Sequence, residues 1–250
     1  MYHIKQTQSK GQGVFAAKYI HCGTRIMSEK PLFTFPTANN TPGEIYDAFL
    51  ELGEEDQKKY LTLTHVNTYA KALVESVDGV HPGVVSMEMA TVAAIYKNNN
   101  FDTEDLDGNR VSAIVVEASR INHSCTPNAF HWMTKDGHLA INVVRNITAG
   151  EEILMTYTDL MQPQTERQKR LYSVHGFRCD CKACDLDTSY GKISEVRRSQ
   201  MQTLNQRREV LKNQNPQCTD ATMAEEEVAI MMELVRLMCG EGIELCCDNW

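Results

Sequence analysis

Cys179-Asp180-Cys181-Lys182-Ala183-Cys184 places three thiols within six residues. Zinc takes four ligands in a tetrahedron, and thiolates this close together let one turn of chain wrap the ion. Arg178, Asp180 and Lys182 stand among them, a poor composition for an apolar core, so metal ligation reads better than three buried thiols. The set is one ligand short. By spacing alone Cys22, Cys125, His175, Cys218 and the C-terminal cysteines all stay open as the fourth. Nine cysteines, following a polar start at Met1-Tyr2-His3 with no leader-like apolar run, read as reduced thiols and metal ligands rather than a disulfide framework. Two more segments carry reactive groups: Asn122-His123-Ser124-Cys125 gathers an amide, an imidazole and a thiol, and Tyr157 closes the apolar run Glu152–Tyr157.

The elements that must position these groups come in an uneven order. The first 38 residues read as short strands punctuated by glycine, with Val14-Phe15-Ala16-Ala17 after Gly11-Gln12-Gly13 and Thr24-Arg25-Ile26-Met27 after Cys22-Gly23. Helical spacing follows a loop at 39–43, with Ile45, Phe49 and Leu52 on one face and Val92 and Tyr96 on another. Thr41 and Glu44 have the spacing of a capping box. Strands return at Val111–Val116, His138–Val144 and Glu152–Tyr157, and helices again from about 188. There Val228, Met231, Met232, Val235, Met238 and Cys239 repeat as one helix face, expected to pack rather than to bind a ligand. Strands, helices, strands, cysteines and helices in that order indicate an α+β fold. A net charge of −8 argues against a nucleic-acid partner. The apolar stretch Val84–Tyr96, broken by Ser86, Glu88 and Thr91, is too short to span a bilayer. An intracellular protein, nuclear or cytoplasmic, with no membrane partner is expected.

Four segments in order resemble the SET-domain protein lysine methyltransferases: Gly11-Gln12-Gly13-Val14-Phe15-Ala16, Arg120 to Asn128 (an Asn-His-Ser-Cys-x-Pro-Asn signature), Ala149 to Tyr157 (Gly-Glu-Glu…Tyr), and the post-SET-like cysteine run. The chain is most similar to the SET-and-MYND branch. The segment between Gly11 and Arg120 holds a long insertion at 39–109, but that insertion has no cysteine and so no MYND finger. The resemblance implies small antiparallel sheets with a pseudoknot-like crossing, a SET catalytic module over 1–187 including a post-SET zinc segment at 175–187, and a helical extension over 188–250. It also implies the site. Cys125 would complete one zinc ion with Cys179, Cys181 and Cys184. Lys10, Gly11, Gln12, Gly13, Asn99, Asn122, His123 and Phe177 would contact S-adenosylmethionine. Tyr157 would be catalytic, and Tyr157 and His175 would wall the lysine channel.

The implied activity is methylation of lysine on a protein substrate, a histone tail or a non-histone protein. The competing expectation is a SET-like zinc-containing binding module without catalysis. Two departures bear on the substrate. His175 stands where relatives usually carry tyrosine, and Ile114-Val115-Val116 stands where they carry an aromatic. A less aromatic channel holds methylammonium less tightly, which points to an altered substrate or product.

Overall fold

The computed structural model describes residues 1–37, 40–78, 85–105, 107–214 and 221–243. The expected early strands form as β2 (Gln12–Ala16) and β3 (Arg25–Glu29), together with β1 (Tyr2–Gln6) and β4 (Phe33–Pro36). The later ones are β5 (Phe101–Glu104), β6 (Arg110–Ile114), β7 (Asn122–His123), β8 (Ala129–Met133), β9 (Leu139–Val143) and β10 (Glu152–Met155). They make three small sheets, ordered β1-β2-β10-β7, β3-β9-β8 and β4-β6-β5. The registered neighbours run antiparallel, as in Tyr2↔Ala16 and Ala129↔Val143. Seven α-helices accompany them among the described residues. The fold is α+β.

The insertion shows why its sequence turns helical. α1 (Pro42–Leu50) begins on the capping box: the Glu44 N–H donates to Thr41 Oγ1 at 3.3 Å and the Thr41 N–H donates to Glu44 Oε2 at 2.8 Å. Both donors would otherwise be orphaned at the helix start. Ile45 and Phe49 then face Tyr60 of α2 (Glu54–Leu61), Val92, Ile95 and Tyr96 of α4 (Met87–Asn99), and Ile114 of β6, with Leu52 at the margin. The Tyr60 hydroxyl, fully buried, donates to the Val92 carbonyl at 2.8 Å. α3 (Asn67–Asp78) meets α4 through Ala70, Ala90 and Ala94, small residues that let two helices approach closely.

The chain divides into two compact units. One comprises 1–122, 129–153 and 173–176, and the other 123–128, 154–172 and 177–250. In the second, α6 (Ser189–Gln214) and α7 (Ala221–Gly240) share a core of Met201, Leu211, Ile230, Leu234 and Leu237. This corrects the expectation for α7. Val228, Met231, Met232, Val235 and Cys239 are exposed, and Met238 alone of that stripe packs at the margin of the core. α7 has two apolar stripes, and the one rich in Ile and Leu faces α6.

Candidate active site

In the second unit the four sulfurs of Cys125, Cys179, Cys181 and Cys184 lie within 4.8 Å of one another. Cys125 Sγ is 3.6 Å from Cys184 Sγ and 4.0 Å from Cys179 Sγ. Zinc bonded to four thiolates at about 2.3 Å spaces its sulfurs by about 3.8 Å, so this cluster can hold a metal ion of that size. Of the other candidates for the fourth ligand, Cys22 and Cys239 are exposed and outside the cluster, and His175 is not part of it. Cys218, Cys246 and Cys247 lie outside the described residues. Hydrogen bonds with Cys179, Cys181 and Cys184 hold Cys125 well above the usual thiol range, and hydrogen bonds from Cys125, Cys179 and Cys184 draw Cys181 well below it.

One face of α5 (Gln164–His175) organises the cysteine loop. Gln168 clamps Cys179 at both ends of its backbone: Oε1 accepts from the Cys179 N–H at 2.9 Å and Nε2 donates to its carbonyl at 2.7 Å. Gln164 Nε2 donates to the Cys184 carbonyl at 3.3 Å. Arg167, with no exposed surface, donates from Nε to Cys125 Sγ at 3.2 Å and from Nη2 to Cys184 Sγ at 3.6 Å. Burial works to lower its pKa, yet attraction to Cys125 and its hydrogen bond to Cys184 hold it above the ordinary arginine range. The sequence reading passed over Arg167 and Gln168. Their signal was phase: with Leu171 and Val174 they occupy i, i+1, i+4 and i+7, the buried line of α5. The loop ends against Gly191, the third residue of α6. A Cβ there would come to 1.9 Å from the Asp185 carbonyl oxygen, so only glycine lets the helix begin against the loop.

His123 joins the cluster to Tyr157. Its Nδ1 accepts the Tyr157 backbone N–H at 3.0 Å, which places the ring proton on Nε2, 3.3 Å from Cys125 Sγ. The His123 and Tyr157 rings are 5.4 Å apart by centroid. Phe177 lies 6.0 Å from His123 and 6.5 Å, edge-on, from Tyr157. Tyr157 lies two residues past the end of β10, so it leaves the sheet rather than ending a strand.

In the first unit, Asn122 Nδ2 donates to the Gln12 carbonyl at 3.0 Å and to Glu152 Oε1 at 2.8 Å. Gly13 sits against this link. A Cβ there would meet Glu152 Oε1 at 2.7 Å, Thr7 Cγ2 at 2.8 Å and Asn122 Nδ2 at 3.0 Å. Lys10, Gly11 and Gln12 are exposed beside it. The stretch before Asn122 is aimed by Glu29, whose carboxylate accepts the N–H groups of Val116 at 2.7 Å, Glu117 at 3.0 Å and Ala118 at 3.2 Å. Those donors leave the strand ladder, which is why β6 stops at Ile114 instead of running to Val116. Asn99 is buried, its amide nitrogen donating to the carbonyls of Thr64 and Ile95, both at 2.7 Å. His175 ends α5 in this unit. No helix among the described residues is long and apolar enough to cross a membrane.

The comparisons converge on one family. Histone-lysine N-methyltransferase set5 of Schizosaccharomyces pombe is 31% identical over 203 residues, 80% of this chain and 56% of that protein. N-lysine methyltransferase SMYD2-B of Xenopus laevis is 28% identical over 70% of this chain and 40% of its own length. SMYD2 of Gallus gallus is 38% identical over 90 residues, 35% of this chain and 20% of that one. The chain thus spans just over half of the first relative and less of the others. A family model described as SET domain matches residues 11–158, more than half of the sequence, and the chain belongs to that family.

Proposed function

We propose that this protein methylates lysine side chains of a protein substrate, a histone tail among the candidates, with S-adenosylmethionine as donor and one structural zinc ion on Cys125, Cys179, Cys181 and Cys184. The observation that carries the reading is the link from Tyr157 through His123 to the cysteine cluster, set within a SET-domain sequence. A fixed backbone at Tyr157 is what an in-line transfer needs, because orientation rather than acid–base chemistry dominates its barrier. We take 1–187 as the catalytic module, 188–250 as a helical extension, and an intracellular location, nuclear or cytoplasmic.

S-adenosylmethionine, when bound, supplies an electrophilic sulfonium methyl. In the first unit Lys10, Gly11, Gln12 and Gly13 would serve the cofactor: Lys10 offers an exposed ammonium for a carboxylate, and the strand after it offers backbone. The Asn122 amide is engaged by Gln12 and Glu152, and the His123 ring by Tyr157 and Cys125. Both residues would therefore contribute main-chain groups. Asn99, its nitrogen occupied, would act through its oxygen or by supporting its segment. Phe177 offers a ring face for the adenine. The Tyr157 phenol would orient the acceptor nitrogen, which must be neutral to attack although free lysine has a pKa of about 10.4. Tyr157 and Phe177, both half-buried, would shield a bound amine from water and so favour its neutral form. His175, with less π surface than tyrosine, would loosen the grip on methylated lysine.

Incubating the protein with radiolabelled methyl donor and a panel of basic peptides tests this. Wild type is expected to label lysine, and Tyr157→Phe to lower kcat by about 10²-fold or more on the scale of losing a positioning group. Donor binding without transfer to any lysine would overturn the catalytic reading.

A further inference from the structure

The second unit buries two arginines completely, Arg167 and Arg198, and they are balanced differently. Arg198 has a carboxylate: Glu241, also buried, lies 3.0 Å from its Nη2, and Ser194 Oγ accepts from its Nε at 3.0 Å. Its Nη2 also donates to the Cys125 carbonyl at 2.8 Å, and its Nη1 donates to the Leu160 carbonyl. Arg167 pairs with no carboxylate among the described residues. Its remaining donors reach the carbonyls of Gln162 at 2.5 Å and Ala183 at 3.3 Å, and its Nε and Nη2 reach sulfur. A guanidinium withdrawn from water needs a negative partner. The groups beside it that can supply the charge are the sulfurs of Cys125 and Cys184.

We propose that Arg167 is the built-in counter-cation of a metal tetrathiolate: a positioning residue whose charge and two N–H···S contacts balance and orient the Cys125 and Cys184 sulfurs around a divalent ion. The proposal rests on the metal reading of the cysteine cluster. Four thiolates and a divalent ion together carry two negative charges, and a buried centre of that charge needs compensation of this kind. Arg167 meets the sulfurs of one pair. The His123 Nε2–H adds a second donor to Cys125. Outer hydrogen-bond partners of metal ligands commonly set affinity by about 10- to 100-fold.

The test uses the whole chain, stripped of metal and titrated with Zn²⁺ against a chromophoric chelator. Arg167→Gln can still donate to the carbonyls but lacks the charge, and is expected to weaken Zn²⁺ binding by about 10- to 100-fold. Arg167→Lys, which keeps the charge, should recover part of that loss. The Co²⁺-loaded protein gives a readout that packing alone does not move. Losing the N–H···S contacts raises the sulfur lone-pair energy, so the sulfur-to-cobalt charge-transfer band shifts to longer wavelength in Arg167→Gln. In Arg198→Gln, which loses an equally buried arginine on the carbonyl side, the band should stay in place while thermal stability falls. Wild type that takes up no metal would overturn the metal reading and the proposal with it. Wild type that binds zinc, with affinity and band unchanged in Arg167→Gln and Arg167→Lys, would overturn the proposal alone.

Discussion

The insertion core and the cysteine core are built on opposite principles. The first gathers Ile45, Phe49, Tyr60, Leu63, Val92, Ile95, Tyr96 and Ile114, so most of its volume is branched aliphatic or aromatic. Phe33 and Phe49 pack with tilted rings against Tyr60 at centroid distances of 5.7 and 5.3 Å. The second has five buried members, of which three are thiols, one is alanine and only Leu171 is large and aliphatic. Area burial closes the first core by itself. The second encloses polar sulfur, a guanidinium and a glutamine, and its cohesion comes from directional bonds and from what four sulfurs can ligate. The comparison teaches that one fold can hold a region closed by area burial and another closed by directional bonds around four sulfurs that could hold a metal ion.

Metal removal breaks the comparison hardest. Cys179→Ser, or chelation of the wild type, is expected to release one stoichiometric ion by elemental analysis. Hydrogen exchange should then lose protection across 177–187 while protection in α1 and α4 stays, because structural zinc sites contribute about 10–16 kcal/mol of apparent free energy in small domains. Uniform loss of protection in both regions would remove the distinction. Phe49→Ala probes the other side. It should cost about 3–5 kcal/mol in denaturant unfolding while leaving metal content at one per chain. Thr41→Ala sharpens the picture at smaller scale. Loss of the cap should cost about 1 kcal/mol, read in the same unfolding assay, again without effect on the metal.

What could be read from the sequence was what acts locally. The Thr41–Glu44 box, the strands that follow Gly11 and Gly23, and the three clustered cysteines all declare themselves within a few residues. Cys125 lies 54 positions before Cys179, and spacing could not select it; the resemblance did, and the sulfurs lie together. Two failures are instructive. In α7 the Val228–Met231–Met232–Val235 line and the Ile230–Leu234–Leu237 line have equally good helical spacing, and periodicity gives a face without saying which partner it meets. In α5, Arg167 and Gln168 were given no role at the site, although they continue the buried line of Leu171 and Val174. Residue type alone does not place them inside, because the groups they bond, the Cys125 and Cys184 sulfurs and the Cys179 backbone, lie in other segments.

Gly191 has a consequence for how this protein can vary. The atom that any side chain would strike is the Asp185 carbonyl oxygen, fixed main chain at the close of the cysteine loop, rather than the tip of a side chain that can swing aside. Tolerance at that position is a step and not a slope: alanine and tryptophan fail for the same first carbon, and a saturation library would sort into glycine and everything else.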